Sequence, residues 1–149
     1  MLTKLLPEQV TRYWDILRPA IEESLPPVAG ETPDKMNRIL AALIGGSLHC
    51  WVSSQIKDER RILEGVMVTR ILHDDVSETK SLLIYCLYGY DIISGNGWKS
   101  GFAALAKWAK SIGCSRIVAY SDVPRILDIV EKLGGDTRYH YISFPLTSV

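Results

Sequence analysis

The sequence predicts an α/β (α+β) domain: a mixed, mostly antiparallel sheet flanked by helices, with two helices at the N-terminal end. Three observations predict it. Apolar residues recur at helical spacing over the first third of the chain. They alternate with period two over the middle third, between charged turns. The last third passes twice from helix to strand, after a glycine-rich turn.

Each element follows from its own pattern. Val10, Tyr13, Trp14, Leu17, Ile21 and Leu25 mark a first helix, with Pro19 a break or kink. Pro26 to Gly30 is a loop. Thr32 then reads as an N-cap with Pro33 at the first helical position, and Met36, Ile39, Leu40 and Leu43 give one apolar face. Gly45-Gly46 ends that helix. Leu48 to Ile56 alternates and reads as a strand, followed by the charged turn Lys57 to Arg60. Arg61 to Ile71 is a second strand and Asp74-Asp75 a second turn. Leu82 to Tyr88 is continuously apolar, as in a strand buried on both faces. A helix runs from Gly97 or Trp98 to Ile112, with Phe102, Leu105, Ala106 and Ala109 on one face. Arg116 to Tyr120 is a short strand. Ser121-Asp122 and Pro124 start another helix, with Ile126, Ile129, Val130 and Leu133 inward. Thr137 to Leu146 reads as a final strand.

Bulk properties narrow the function. The 149 residues fit one domain spanning 1–149. Lys plus Arg equals Asp plus Glu at 17 each, with the signs mixed along the chain, so no basic stripe is present to recruit nucleic acid. No apolar run approaches the ~20 residues that span a bilayer. Cys50, Cys86 and Cys114 are far apart and odd in number, which argues against a disulfide framework or a zinc site and for a reduced, cytoplasmic protein. His73 beside Asp74-Asp75 reads as a solvated turn, since three neighbouring residues do not readily close a coordination shell. No metal is expected.

The stretch that carries chemistry is Tyr90 to Lys99. It follows the buried strand and opens a helix. Its glycines let backbone approach a ligand, and the first free N–H groups of the helix, with its dipole, form an anion site. Strand, Gly-x-Gly turn and helix together suggest a pyrophosphate cradle. Here the chain resembles the GNAT superfamily of acyl-CoA-dependent N-acyltransferases, from about Ser47 to Leu146. That family's cofactor loop, Gln/Arg-x-x-Gly-x-Gly/Ala, falls on Ser94-Gly95-Asn96-Gly97-Trp98-Lys99. Gly97 keeps the central glycine; Ser94 replaces the leading Gln/Arg and Lys99 the last small residue. Glu64-Gly65-Val66 looks like the glycine-bearing third strand, and Val130-Glu131-Lys132-Leu133-Gly134 resembles the family's Tyr-Glu-Lys-Leu-Gly.

The resemblance implies acetyl-CoA or another acyl-CoA as cofactor and an amine as acceptor, from a small molecule or a protein. It implies a pantetheine arm along the buried strand, and pyrophosphate on Ser94, Gly95, Asn96, Gly97, Trp98 and Lys99. It also implies an oxyanion-stabilising N–H around Tyr88. The family's general acid is a tyrosine where this chain has Val130. Tyr88, Tyr120, Ser121 and Tyr141 are alternative donors, water is another, and a domain that keeps the fold without the reaction is the competing reading. For a general base, Glu64 and His49 stand in strands among apolar neighbours, where a partly desolvated carboxylate or an imidazole accepts a proton near neutral pH. Solvent-facing or packing roles are the plain alternatives for both. Glu22-Glu23 could meet a cationic amine or simply form a solvated helix face. A homodimer through the last strand is a further expectation, because an exposed edge must be covered.

Overall fold

A computed structural model describes residues 1–148; Val149, the last residue of the expected 1–149 domain, lies outside the described residues. The chain divides into two compact units, one from Met1 to Ala119 and one from Tyr120 onward.

The first unit is built on five strands: β1 (Leu2–Lys4), β2 (His49–Lys57), β3 (Arg60–Asp74), β4 (Thr79–Gly89) and β5 (Cys114–Ala119), in the spatial order of the sequence. β1 to β4 pair antiparallel and β5 pairs parallel to β4, so the predicted mixed, mostly antiparallel sheet is present. β1 was not legible in the sequence. Three residues carry no period, and this strand exists because Met1 to Lys4 finds the open edge of β2.

The β2–β3 hairpin turns on Asp58 and Glu59, both at positive φ (52° and 62°), as the primed two-residue turn requires.

Two apolar layers hold the sheet. On one face lie α1 (Pro7–Arg12), α2 (Trp14–Glu23) and α3 (Lys35–Gly45). Val10, Leu17, Ile21, Met36, Ile39 and Leu43 pack there against Cys50, Val66, Val68 and Cys86. On the other face lies α4 (Gly95–Ser111), whose Leu105 and Ala109 pack on Trp51, Met67 and Leu82. Phe102, expected on that inner face, is 40% exposed.

The N-terminal helices differ from the sequence reading in two places. The break falls at Tyr13, between α1 and α2, while Pro19 sits inside α2. A proline there removes the N–H that would reach back to Asp15, yet burial of Leu17, Ala20 and Ile21 around it keeps the helix intact. α3 starts later than Thr32-Pro33: its N-cap is Asp34, and residues 32–34 form a turn.

The second unit holds α5 (Pro124–Lys132). The expected strand from Thr137 to Leu146 does not form; the segment is irregular and ends in a short 3₁₀ turn, Leu146–Ser148. Alternating side chains license a strand only when a partner backbone completes the ladder, and none of the sheet pairings includes this segment. Its apolar side chains stand in solvent, with Tyr139 83%, Phe144 80% and Leu146 82% exposed. Within this unit Tyr120 and Tyr141 meet edge to face, and Thr137 Oγ1–H donates to Glu131. Val130 is half-buried and touches Gly135, whose N–H donates to the Val130 carbonyl at 2.8 Å.

Candidate active site

The site begins where β4 leaves β5. The two strands lie side by side as expected, and their parallel pairing runs from Lys80↔Cys114 to Ile84↔Ala119. β4 then continues alone on that side to Gly89. The divergence coincides with a bulge. Val68 pairs with Cys86 and Thr69 with Ile84, so Tyr85 is an extra residue in β4. Nothing in the local sequence marks this bulge, because it is a property of the register between two strands.

The free edge has defined polarity. Tyr90 N–H donates to the Glu64 carbonyl at 3.0 Å, so 64 and 90 face each other at a hydrogen-bonded position of the ladder. Alternation then turns the backbone groups of Tyr88 toward Val66, and those of Leu87 and Gly89 away from β3, to the side β5 has vacated. The residues from 85 to 89 present an edge of roughly 16 Å. The free N–H groups are therefore those that flank Tyr88.

Beyond Gly89 the chain turns through Ser94 into α4. Glycine is needed at two points, one against a backbone carbonyl and one against a side chain. A Cβ on Gly65 would lie 3.2 Å from the Tyr88 carbonyl oxygen and 3.7 Å from Ile93 Cδ1. A Cβ on Gly97 would lie 2.9 Å from Ile93 Cγ2. Ile93 thus lies between β3 and the first turn of α4; Gly97 makes room for it, while Gly65 makes room for the Tyr88 carbonyl. A Cβ on Gly95 would meet nothing within 4 Å, so that face of the turn is open.

The turn supplies fewer free amides than its sequence predicts. Ser94 is the N-cap, and its Oγ accepts the Gly97 N–H at 3.0 Å. Serine in this place does what N-cap residues do. Helix geometry leaves the N–H groups of Gly95 and Asn96 without an intrahelical partner. No acidic residue stands in the first turn, so the positive end of a 17-residue helix is not neutralised there. Lys99 is exposed beside it. Trp98 is half-buried, and its indole N–H is enclosed with no partner among the described residues.

The three proton-transfer candidates separate. Glu64 is 8% exposed, at a second bulge where β3 carries an extra residue opposite Ser53-Ser54. Ser53 Oγ–H donates to its Oε1 at 2.6 Å. Tyr88 lies on the next strand, half-buried, its ring edge to face with Tyr90 at 5.0 Å. Burial, then the neighbouring Tyr88 and Cys50, push the Tyr90 phenol up, so it stays protonated at neutral pH.

His49 is elsewhere. It stands four residues before Ser53 on β2, roughly 13 Å along the strand. Its Nδ1 is 3.1 Å from Thr69 Oγ1, which also accepts the Trp51 indole N–H at 3.0 Å, and its ring meets Trp108 at 5.0 Å. Burial and the nearby Lys4 charge lower its proton affinity, against a hydrogen bond to Thr69 that raises it. His49 is therefore a packing histidine apart from Glu64 and Tyr88. Burial and Cys86 push the Cys50 thiol up to about 12, and burial pushes Cys86 up to about 11, which makes both poor nucleophiles.

No protein-family model and no curated protein matches the sequence. Solved structures do match over nearly the whole length. A probable acetyltransferase is 11% identical with a TM-score of 0.69, over 98% of this chain and 97% of that one. An aminoglycoside acetyltransferase from an uncultured soil metagenomic sample, in complex with sisomicin, is 16% identical with a TM-score of 0.68, over 98% and 95%. A predicted acetyltransferase from Clostridium acetobutylicum, with acetyl-CoA, is 15% identical with a TM-score of 0.67, over 100% and 97%. Similarity of shape at such low identity, joined to a sheet that splits between β4 and β5 above a glycine-bearing helix turn, establishes that this chain has the GNAT fold in a divergent form.

Proposed function

We propose that the protein is an acyl-CoA-dependent N-acyltransferase that passes an acetyl group to an amine by direct attack on the thioester. The observation that carries this reading is the unpaired edge of β4 from Tyr85 to Gly89, which leads straight into the uncompensated positive end of α4.

The residues present fit such a cofactor. A thin arm with amide groups can complete the ladder that Leu87 and Gly89 leave open. A pyrophosphate can take the N–H groups of Gly95 and Asn96 and the charge of Lys99, over the open face at Gly95. The enclosed, unpartnered N–H of Trp98 is one more donor at the same turn. Ser94 holds the turn by capping Gly97.

When bound there, an acyl-CoA supplies a thioester carbonyl at which a C–N bond forms as the C–S bond breaks, one proton leaving the amine and one reaching the thiol. The chain's own contribution is orientation and charge. Amides on the free edge of β4, beside Tyr88, are aimed where an oxyanion develops. Glu64 holds one carboxylate oxygen on Ser53 and keeps the other to take a proton from the acceptor, directly or through water. Tyr88, on the adjacent strand, contributes its phenol to the same end of the sheet. Water is the proton donor to the leaving sulfur. An aminoglycoside acetyltransferase among the similar structures supports an amine as the acceptor class. The exposed Tyr139, Phe144 and Leu146 support a homodimer that covers them.

Val130, together with Ser94 closing one amide of its own turn, favours a second reading: a GNAT-fold module that binds a partner and does no transfer. Thermal melts separate the two. Acetyl-CoA at 100 times its Kd adds about 2.7 kcal/mol, a rise of roughly 5–10 °C for a chain of this size. Gly97→Val, which drives a side chain into Ile93, should abolish the rise in a protein whose circular dichroism is unchanged. Absence of a shift with the native protein leaves the binding module. A shift that survives Gly97→Val moves the ligand away from this turn.

A further inference from the structure

A cleft of about 430 Å³ lies on the α1–α3 face, between the loop after α2, the exposed side of α3, and β3–β4. Its lining includes Lys35 and Arg38 from α3, Arg70 from β3, and Tyr85, the bulged residue at which β4 parts from β5. Lys35 is answered by Glu31, whose Oε1 accepts its Nζ–H at 2.7 Å. Arg38 and Arg70 have no carboxylate partner among the described residues. Two uncompensated guanidiniums thus face one concavity that opens at the start of the free β4 edge. Tyr85 senses the same cations: burial raises its proton affinity, while the charges of Arg70 and Lys35 pull it down.

We propose that this cleft selects the acceptor of the transfer reaction, and that the acceptor is an amine bearing a carboxylate, held by Arg38 and Arg70 with its amine directed to the open edge beyond Tyr85. The inference rests on the acyltransferase reading. Guanidinium groups pair with carboxylates through two parallel N–H bonds, and the same two charges repel polycationic amines, so the cleft chooses both for and against. From Tyr85 to the free amides of Leu87 and Gly89 the strand advances roughly 7–13 Å, so the acid and the amine need a spacer of that reach.

The test uses a ladder of ω-amino acids of increasing chain length, each against its own amide, with spermidine as the polycation and aminoethylphosphonate as the phosphorus acid. Acetyl-CoA is the donor. The expected result is at least a tenfold preference in kcat/KM for one or more carboxylates over their amides, the phosphonate weaker and spermidine poorest. The preference collapses in Arg38→Ala/Arg70→Ala through a raised KM for the acid. In that variant the melting-temperature rise with acetyl-CoA stays at the native value, as it does in the surface control Lys107→Ala. Equal use of acids and amides, preference for spermidine or for the phosphonate, or a preference that survives the double variant overturns the proposal while leaving the acyltransferase reading in place. Absence of both an acetyl-CoA shift and any transfer sinks that reading instead. The cleft is then judged by NMR. Titrating N-acetylated ω-amino acids should move the Nε–H resonances of Arg38 and Arg70, their amides should not, and unmoved resonances overturn the proposal.

Discussion

Thr69→Val isolates the polar knot inside the sheet. Thr69 is fully buried, at 0% exposure, and its hydroxyl oxygen accepts the indole N–H of Trp51 at 3.0 Å and lies 3.1 Å from His49 Nδ1. Valine has the same outline, so packing against the neighbouring strands is kept and only the oxygen goes. Trp51 is itself 5% exposed, so its N–H is left without water or partner. A buried donor stranded this way costs about 1–3 kcal/mol. Half-buried His49 can turn toward solvent and adds little. A loss of about 2 kcal/mol corresponds to a Tm drop of roughly 4–8 °C for a chain near this size. Urea unfolding of Thr69→Val, Trp51→Phe and the double variant closes the cycle. Because the double variant has neither donor nor acceptor, its loss should fall short of the sum by about 1 kcal/mol or more. Additive losses, or a Thr69→Val protein that melts within a degree of the native one, would show that the knot holds nothing.

Two further outcomes follow from the same geometry. Ser94→Ala removes the cap on Gly97 and should lower stability by about 1 kcal/mol in denaturant melts, while the rise in Tm with acetyl-CoA persists, because the amides and not the serine bind. Loss of that rise would make Ser94 a ligand-binding group. The pH dependence has a definite sign at His49. Its folded form holds a proton less tightly than the unfolded chain, mainly through burial and then Lys4. As pH falls through 6.5, the unfolded chain takes up a proton that the folded one refuses, so stability falls over that range and levels off below the folded value. His49→Gln should flatten this part of the profile, and Lys4→Gln should reduce it; an unchanged slope in both would place the titration elsewhere.

Glu64 shows what pattern alone conveys and what it leaves out. Its place in an apolar strand was visible, yet period two assigned it either face with equal ease. The bulge opposite Ser53-Ser54 buried it and gave it a hydroxyl partner. Tyr85 carried no signal at all, and it became the hinge of the site because the register with β3 shifts there and the pairing with β5 ends one residue before it. Arg38 and Arg70 are 32 residues apart in sequence and meet only across a cleft.

What the sequence by itself determined is whatever is written within one element's length. The apolar faces of α2, α3 and α4, the three-strand meander, the continuously apolar run of β4, which the structure buries only in part, and the glycine turn into α4 are local patterns. Contacts between distant segments decided the rest. β1 formed because an edge was free for it. The segment from Thr137 to Leu146 stayed irregular because its alternation met no partner backbone. His49 was drawn to Thr69 and Trp108, away from Glu64. Hydrogen bonds between strands and charges across a cleft depend on which backbones become neighbours, and that choice is made only when the chain closes on itself.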